Sequence, residues 1–271
     1  EGLLVTDGIL KGLDRPAALI GVAEKGYATL VLTARATPGH SSMPPRDTAI
    51  GMMSAALARL EDHNLPARVR GTVAEMFDTL APEMKGFNRV VLSNLWLFKP
   101  LLLREFDKGG ATRAMVRTTT ALTIFNAGDK DNVLPGNAEA TVNFRLLPGD
   151  SEASVTQHVR ETVSNDRISI APFPGNTDPP PVTGTASESY RVLNQTIREI
   201  FPDVIVAPGL MVAATDSRHY AGIADNIFRF SPVRATSEDL KRFHGTNERL
   251  SIQNYADMIR FYLRFIQRSA G

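Results

Sequence analysis

Residues Ala138 to Leu146 alternate without a break, with Ala140, Val142, Phe144 and Leu146 on one side and Glu139, Thr141, Asn143 and Arg145 on the other. A period of two marks a strand with one face on a core and one in water. The same alternation runs from Ala28 to Ala36, where Leu30, Leu32 and Ala34 oppose Val31, Thr33 and Arg35. After a small-residue turn, Gly39 to Pro45, Ile50, Met53, Leu57 and Leu60 recur at helical spacing and predict an amphipathic helix. Thr120 to Asn126 reads as a further strand, joined to Ala138–Leu146 through the turn-rich stretch Gly128 to Asn137. Asp150 or Ser151 can cap a helix carrying Val155, Val159 and Val163, and Ile168 to Phe173 reads as a fourth strand. The order β-α-β-β-α-β is that of a split, ferredoxin-like unit.

The rest of the chain has α/β character. Asn64 to Arg117 carries helical signals without a clear amphipathic period and is apolar around Trp96 and Phe98, so it reads as an insertion that extends the small domain. The Pro-, Gly- and Thr-rich run Gly175 to Thr185 has the composition of a linker. Beyond it, Ser187 caps a helix with Leu193, Ile197 and Ile200, Val204–Ala207 and Asn226–Phe230 read as short strands, and Ser251 caps a last helix carrying Tyr255, Met258, Ile259, Tyr262 and Ile266.

With 271 residues, 43% of them hydrophobic, the chain has material for a sizeable core. Thirty Lys and Arg against 29 Asp and Glu leave a net charge of +1, which argues against a nucleic-acid partner. No apolar run approaches the ~20 residues that span a bilayer, and no signal-peptide pattern opens the chain, so the expectation is a soluble protein with no membrane partner and an open compartment. The absence of cysteine excludes disulfides and thiolate chemistry and leaves any metal to His, Asp and Glu. The first residue is Glu1, inside what reads as a strand, which sets the expectation that further polypeptide lies upstream.

Of five histidines, His63 and His158 read as surface residues and His219 has no distinguishing context. His40 sits in the rigid loop Pro38-Gly39-His40-Ser41-Ser42-Met43-Pro44-Pro45, where a polar side chain is presented rather than packed. His244, in Phe243-His244-Gly245-Thr246-Asn247-Glu248, is a turn residue, a metal ligand or an acid/base. Arg145 and Arg218 are candidate carboxylate clamps, with surface ion pairs as the alternative, and Asn132 lies in another loop between elements. No H-E-x-x-H, H-x-D, G-x-S-x-G or P-loop pattern occurs, so no complete catalytic constellation is visible.

Taken together, Gly39-His40-Ser41-Ser42, Asn132-Val133-Leu134-Pro135, Phe144-Arg145 before Pro148-Gly149, Thr215-Asp216-Ser217-Arg218 and His244-Gly245-Thr246-Asn247-Glu248 stand in an order that resembles the co-catalytic zinc peptidases of the aminoacylase and carboxypeptidase S family, peptidase family M20. The similarity is greatest to the branch of carboxypeptidase S and the N-fatty-acyl-amino-acid synthase/hydrolases, through Ser93–Phe98, Arg117–Phe125 and Ala140–Arg145. The resemblance implies the C-terminal part of an α/β zinc-peptidase domain (1–24 and 175–271) interrupted by a ferredoxin-like lid or dimerisation domain (25–174, with the insertion at about 64–117). It implies a homodimer formed through the lid, two zinc ions in the complete enzyme, and hydrolysis of peptides or N-acyl amino acids bearing a free carboxylate. His244 then matches a zinc ligand, His40 the lid histidine that steadies the oxyanion in the partner subunit's site, Asn132 and Arg145 lid residues that bind the substrate, and Arg218 a further carboxylate contact. The remaining metal ligands of that family precede the lid, and Glu1 matches a position beyond them, so it is not the catalytic base. The expectation is therefore a fragment that is inactive by itself, with a non-catalytic dimerisation or binding module as the alternative.

Overall fold

A computed structural model describes residues 2–270. In chain order the strands are β1 (Leu3–Thr6), β2 (Ala17–Glu24), β3 (Gly26–Arg35), β4 (Gly39–His40), β5 (Thr119–Ala127), β6 (Val133–Leu134), β7 (Asn137–Leu146), β8 (Ile168–Pro172), β9 (Ile205–Met211) and β10 (Phe230–Ala235). The helices are α1 (Ala49–Asp62), α2 (Thr72–Leu80), α3 (Gly86–Ser93), α4 (Leu95–Phe106), α5 (Gly110–Val116), α6 (Glu152–Val163), α7 (Glu188–Ile200), α8 (Ser237–Leu240) and α9 (Ile252–Ala270). The architecture is mixed α/β. Tertiary contacts divide it into two units, one of Glu1–Glu24, Val69–Gly109 and Pro180–Gly271, the other of Lys25–Arg68 and Gly110–Pro179.

The second unit is built on an antiparallel sheet of order β5-β7-β3-β8. With α1 after β3 and α6 after β7, this is the ferredoxin-like order expected from the alternation. Ala28, Leu30, Leu32, Ala34, Ala140, Val142, Phe144 and Leu146 are buried beneath α1 and α6. Ser151 caps α6 through the Ser154 N–H, and the Ser154 hydroxyl accepts from the Ser151 N–H in return. That reciprocal cap fixes the register in which Val155, Val159 and Val163 turn inward. The α1 stripe is rotated from the expected one: Ala49, Met52, Met53, Ala56 and Leu60 are buried and Ile50 is exposed, because small alanines allow close approach to the sheet.

The first unit carries a four-stranded sheet of order β10-β1-β2-β9, parallel at β1–β10 and β2–β9 and antiparallel at β1–β2. Helices α7 and α9 cover it, and Ile20, Val22, Leu193, Ile197, Phe230 and Phe261 share one core. Two sequence expectations shift here. The strand expected at Asn226–Phe230 runs instead from Phe230 to Ala235, with Pro232 tolerated because β10 is an edge strand. Helix α9 turns Phe261 inward and leaves Tyr255, Ile259, Tyr262 and Ile266 exposed. The insertion also differs from its expected place: Val69–Gly109 groups with this first unit, where α2 packs against β9.

One charged residue is buried inside the second unit. The Lys25 amine is 2% exposed and donates to the carbonyls of Ala114 and Arg117, at 3.0 and 2.8 Å. Burial, reinforced by the Arg145 charge and only partly opposed by Asp150, pulls its pKa down to about 7. A neutral amine keeps two N–H bonds, one for each carbonyl. Between about 7 and the ordinary lysine value the unfolded chain holds a proton that the folded one has lost, so this group makes stability rise with pH across that window. In urea unfolding, the stability of the wild type minus that of Lys25→Met is expected to grow by roughly 2 kcal/mol between pH 7 and pH 9. A difference that stays flat would show that Lys25 remains charged.

Candidate functional site

The expected site residues fall into two groups. In the second unit a two-residue ladder pairs Gly39 with Leu134 and His40 with Val133, and the Ser41 N–H donates to the Asn132 carbonyl at 3.1 Å. The His40 loop and the Asn132 loop are thereby stapled together at one end of the sheet, where Arg35 pairs with Asn137. The Ser42 N–H donates to His40 Nδ1 at 3.2 Å, with the Ser42 hydroxyl at 2.8 Å from the same nitrogen. An accepting Nδ1 places the proton of the neutral ring on Nε2, which the exposed side chain offers as a donor.

Arg145 lies at the other end. It pairs with Tyr27 on β3, and its guanidinium carbon sits 4.7 Å from the centre of the Tyr27 ring. Tyr27 and Arg35 are eight residues apart on β3, roughly 25 Å at a strand's rise. One unit therefore brings His40 and Asn132 together and holds Arg145 away from both. Around Arg145 the outward face of the sheet is polar: the Asn143 amide donates to Thr29 Oγ1 at 2.9 Å, and the Asn176 side chain brackets the Thr29 backbone.

In the first unit His244 lines an open cleft of about 1180 Å³ together with Asp7, Thr215, Asp239, Glu248 and Asp257. Its backbone is left-handed, with φ of 55°, as is that of Asn247 at 62°. Such conformations cost energy for a residue with a Cβ, and they present this imidazole from a tight turn. The three aspartates of the cleft are engaged, Asp7 by Arg234, Asp239 by Thr236 and Arg242, and Asp257 by Arg260. Among the described residues no group of three His, Cys, Asp or Glu converges on a point that could hold a metal. His244 thus offers one nitrogen donor, and the ligand set for two zinc ions is not met by these residues. Glu1 lies outside the described residues.

Arg218 stands exposed on the 3-10 turn Asp216–Tyr220, outside the lining of that cleft. What fixes this turn is a buried network that joins Thr215 and Ser217 of that motif to Glu24 and Arg229, which no motif announces. The Thr215 N–H and hydroxyl donate to the Glu24 carboxylate at 2.8 and 2.5 Å, the Ser217 hydroxyl at 2.9 Å, and Arg229 Nε at 2.6 Å. Both charged side chains are 1% exposed, and both terminal nitrogens of Arg229 are buried without a hydrogen-bond partner among the described residues. Burial alone would push the Glu24 carboxyl up, but the donors Thr215, Arg229 and Ser217 outweigh it and hold the group below the usual carboxylate range. For the charged pair itself the only signal in the sequence is a glutamate closing the apolar run Ala17 to Ala23, and an arginine inside Ile227-Phe228-Arg229-Phe230.

Known proteins share this architecture. The family described as "Peptidase dimerisation domain" matches residues 22–169. The N-fatty-acyl-amino acid synthase/hydrolase PM20D1 of Xenopus tropicalis is 44% identical over 271 residues, covering 99% of this chain and 53% of that protein. The probable carboxypeptidase S-like 2 of Dictyostelium discoideum is 42% identical over 99% of this chain and 52% of its own length. The chain thus spans about half the length of the curated relatives it matches. Among solved structures, an M20 family metallo-carboxypeptidase from Sulfolobus solfataricus superposes with a TM-score of 0.65 at 16% identity, over 98% of this chain and 62% of that one. Human carnosine dipeptidase 1 superposes with a TM-score of 0.57 at 13% identity, over 100% and 59%. At these identities the superpositions speak for the fold alone.

Removing the buried carboxylate strands the Arg229 charge. Glu24→Gln is expected to lower stability by about 3 kcal/mol at pH 7. Because the folded-state pKa is depressed, the contribution of Glu24 is complete above the unfolded value and is lost as pH falls through the folded one. The penalty measured by urea unfolding should therefore shrink in acid, and a penalty independent of pH would contradict the ionised pair.

Proposed function

Because the chain belongs to the M20 peptidase family and carries its dimerisation domain, we propose that its complete gene product is a metal-dependent hydrolase of amide bonds beside a free carboxylate, in N-acyl amino acids or short peptides. The observation that carries this reading is the stapled pair of loops that holds the protonated His40 Nε2 and Asn132 at one end of the sheet. A fixed donor such as His40 Nε2 is what a developing oxyanion requires, and a preorganised donor contributes more than one that must be ordered during the reaction, while Asn132 beside it is assigned to binding the substrate. Arg145, held over Tyr27, and Arg218 are assigned to the substrate carboxylate, for which a guanidinium is the suited bidentate partner.

His244 is assigned as one ligand of a zinc pair whose chemistry, when the ions are bound, is to polarise the scissile carbonyl and activate water. The described residues do not complete that pair, so no turnover is expected of the 271 residues by themselves.

The geometry of the second unit supports a dimer as the working form. In an N-acyl amino acid the amide carbonyl and the carboxylate lie only a few bonds apart, whereas His40 and Arg145 stand at opposite ends of β3. One bound substrate can use both only if they come from two copies. The sheet ends in β5, an edge strand that exposes Ile124 and Phe125 and offers an unpaired ladder to a second copy.

The complete gene product, supplied with zinc, is expected to hydrolyse N-acyl amino acids or dipeptides and to lose the activity in chelator. His40→Ala should lower kcat about 10²- to 10³-fold with little change in KM, as loss of an oxyanion donor does. Arg145→Lys should act mainly on KM. Failure to turn over any member of a panel of such substrates, with no zinc in elemental analysis and the dimer retained, would favour the non-catalytic dimerisation module instead.

A further inference from the structure

The helical pair α3–α4 of the first unit carries a surface that neither the sheet nor the proposed chemistry uses. Its inner side is anchored by the buried Val91, Leu92 and Leu102, and at its rim Phe87 meets Phe98 edge to face at 6.2 Å, tying one helix to the other. Its outer side is apolar. Trp96 is 83% exposed, Phe87 65% and Leu97 55%, with Val90 and Leu101 beside them. On α4, Trp96, Leu97, Pro100 and Leu101 share one arc of the helix. An apolar arc left in water next to a well-packed inner face marks an interaction surface rather than a gap in packing.

Charge identifies the occupant. From Lys85 to Arg104 the chain has four cations, Lys85, Arg89, Lys99 and Arg104, and no acid. Lys85 is paired with Asp14, while Arg89, Lys99 and Arg104 are exposed and make no ion pair among the described residues. Glu105, the next residue, is taken by Lys108. The exposed stripe of α9 shows the contrast, since its arginines are spent on Asp257 and Glu199. Aromatic and leucine side chains interleaved with unpaired cations are the composition of a helix that lies in a membrane interface, apolar side in the acyl boundary and cations among anionic headgroups.

We propose that α3–α4 docks the protein peripherally on an anionic phospholipid bilayer, with Trp96, Leu97 and Leu101 inserted and Arg89, Lys99 and Arg104 on the headgroups. No helix among the described residues is long and apolar enough to cross a membrane, so the association lies along the surface. This amends the expectation of no membrane partner, which rests on the lack of a spanning segment and is blind to an interfacial one. The proposal stands apart from the hydrolase reading and needs no catalytic residue.

Trp96 is the single tryptophan of the sequence and reports on the surface directly. Its emission is expected to shift to the blue when the protein meets phosphatidylcholine vesicles containing phosphatidylglycerol, to stay unchanged with phosphatidylcholine alone, and to return in high salt. The triple variant Arg89→Gln, Lys99→Gln, Arg104→Gln keeps Trp96 and should bind anionic vesicles roughly 100-fold more weakly. Should that variant fold poorly, a salt titration of the wild type tests the same charge dependence, and binding unchanged by salt would count against it. No shift with anionic vesicles, an equal shift with neutral ones, or full binding by the triple variant would overturn the proposal. So would a blue shift that grows with protein concentration and without lipid, which would assign the surface to a second copy.

Discussion

A carboxylate and a guanidinium taken out of water together cost several kcal/mol each, and the Glu24–Arg229 pair is sustained by the donors gathered around it. Thr215, Ser217 and Arg229 all point at one carboxylate, and in doing so they bind the end of β2 to the loop after β9 and to the segment entering β10. The backbone repeats the connection, with the Gly21 and Arg229 N–H and carbonyl groups exchanging bonds at 2.9 Å. Gly21 is required there, since a Cβ would stand 2.8 Å from that of Arg229. One residue further on, Lys25 is buried by different partners in the other unit. Glu24 and Lys25, neighbours at one of the points where the chain crosses between the units, are thus each buried and held by partners within their own unit.

The second constraint is length. A ten-residue strand, β3, shared between β7 and β8 makes the ferredoxin-like sheet rigid, and it also fixes how far apart the polar groups at its two ends must stay. His40 and Asn132 belong to loops at one end and Arg145 to the other. In the proposed function this spacing is the reason for a dimer: two copies would bring opposite ends of identical sheets to one small molecule.

The sheet of the second unit is readable in the sequence because period-two alternation and a serine cap leave little freedom: Ala140, Val142, Phe144 and Leu146 point inward as the pattern predicts, and Ser151 starts α6. Legibility fails where a local rule is overridden by position. Pro208 and Gly209 look like the end of a strand, yet β9 continues through them because it is an edge. On α1 and α9 the apolar residues are more numerous than one face can hold, and periodicity does not say that Ile50 and Ile259 stay outside while Met52 and Phe261 go in. The helical character of the insertion is legible, but which unit it joins depends on α2 meeting β9, a long-range contact with no local trace. Motifs single out His40, Asn132, Arg145, Arg218 and His244 as loop and strand-end residues. Glu24 and Arg229 escape because a lone charge in an apolar run gives no hint of a partner 205 residues away.

Service of one substrate by residues from two copies is tested most directly by subunit complementation. His40→Ala and Arg145→Ala forms of the complete gene product, each inactive, are unfolded together, refolded as a mixture and assayed. If His40 and Arg145 reach a substrate from different copies, random pairing leaves one intact site in each mixed dimer, and activity should return to about a quarter of the wild-type value. If both residues act from the same copy, every copy in the mixture carries a lesion, no site is complete in any pairing, and the mixture stays inactive.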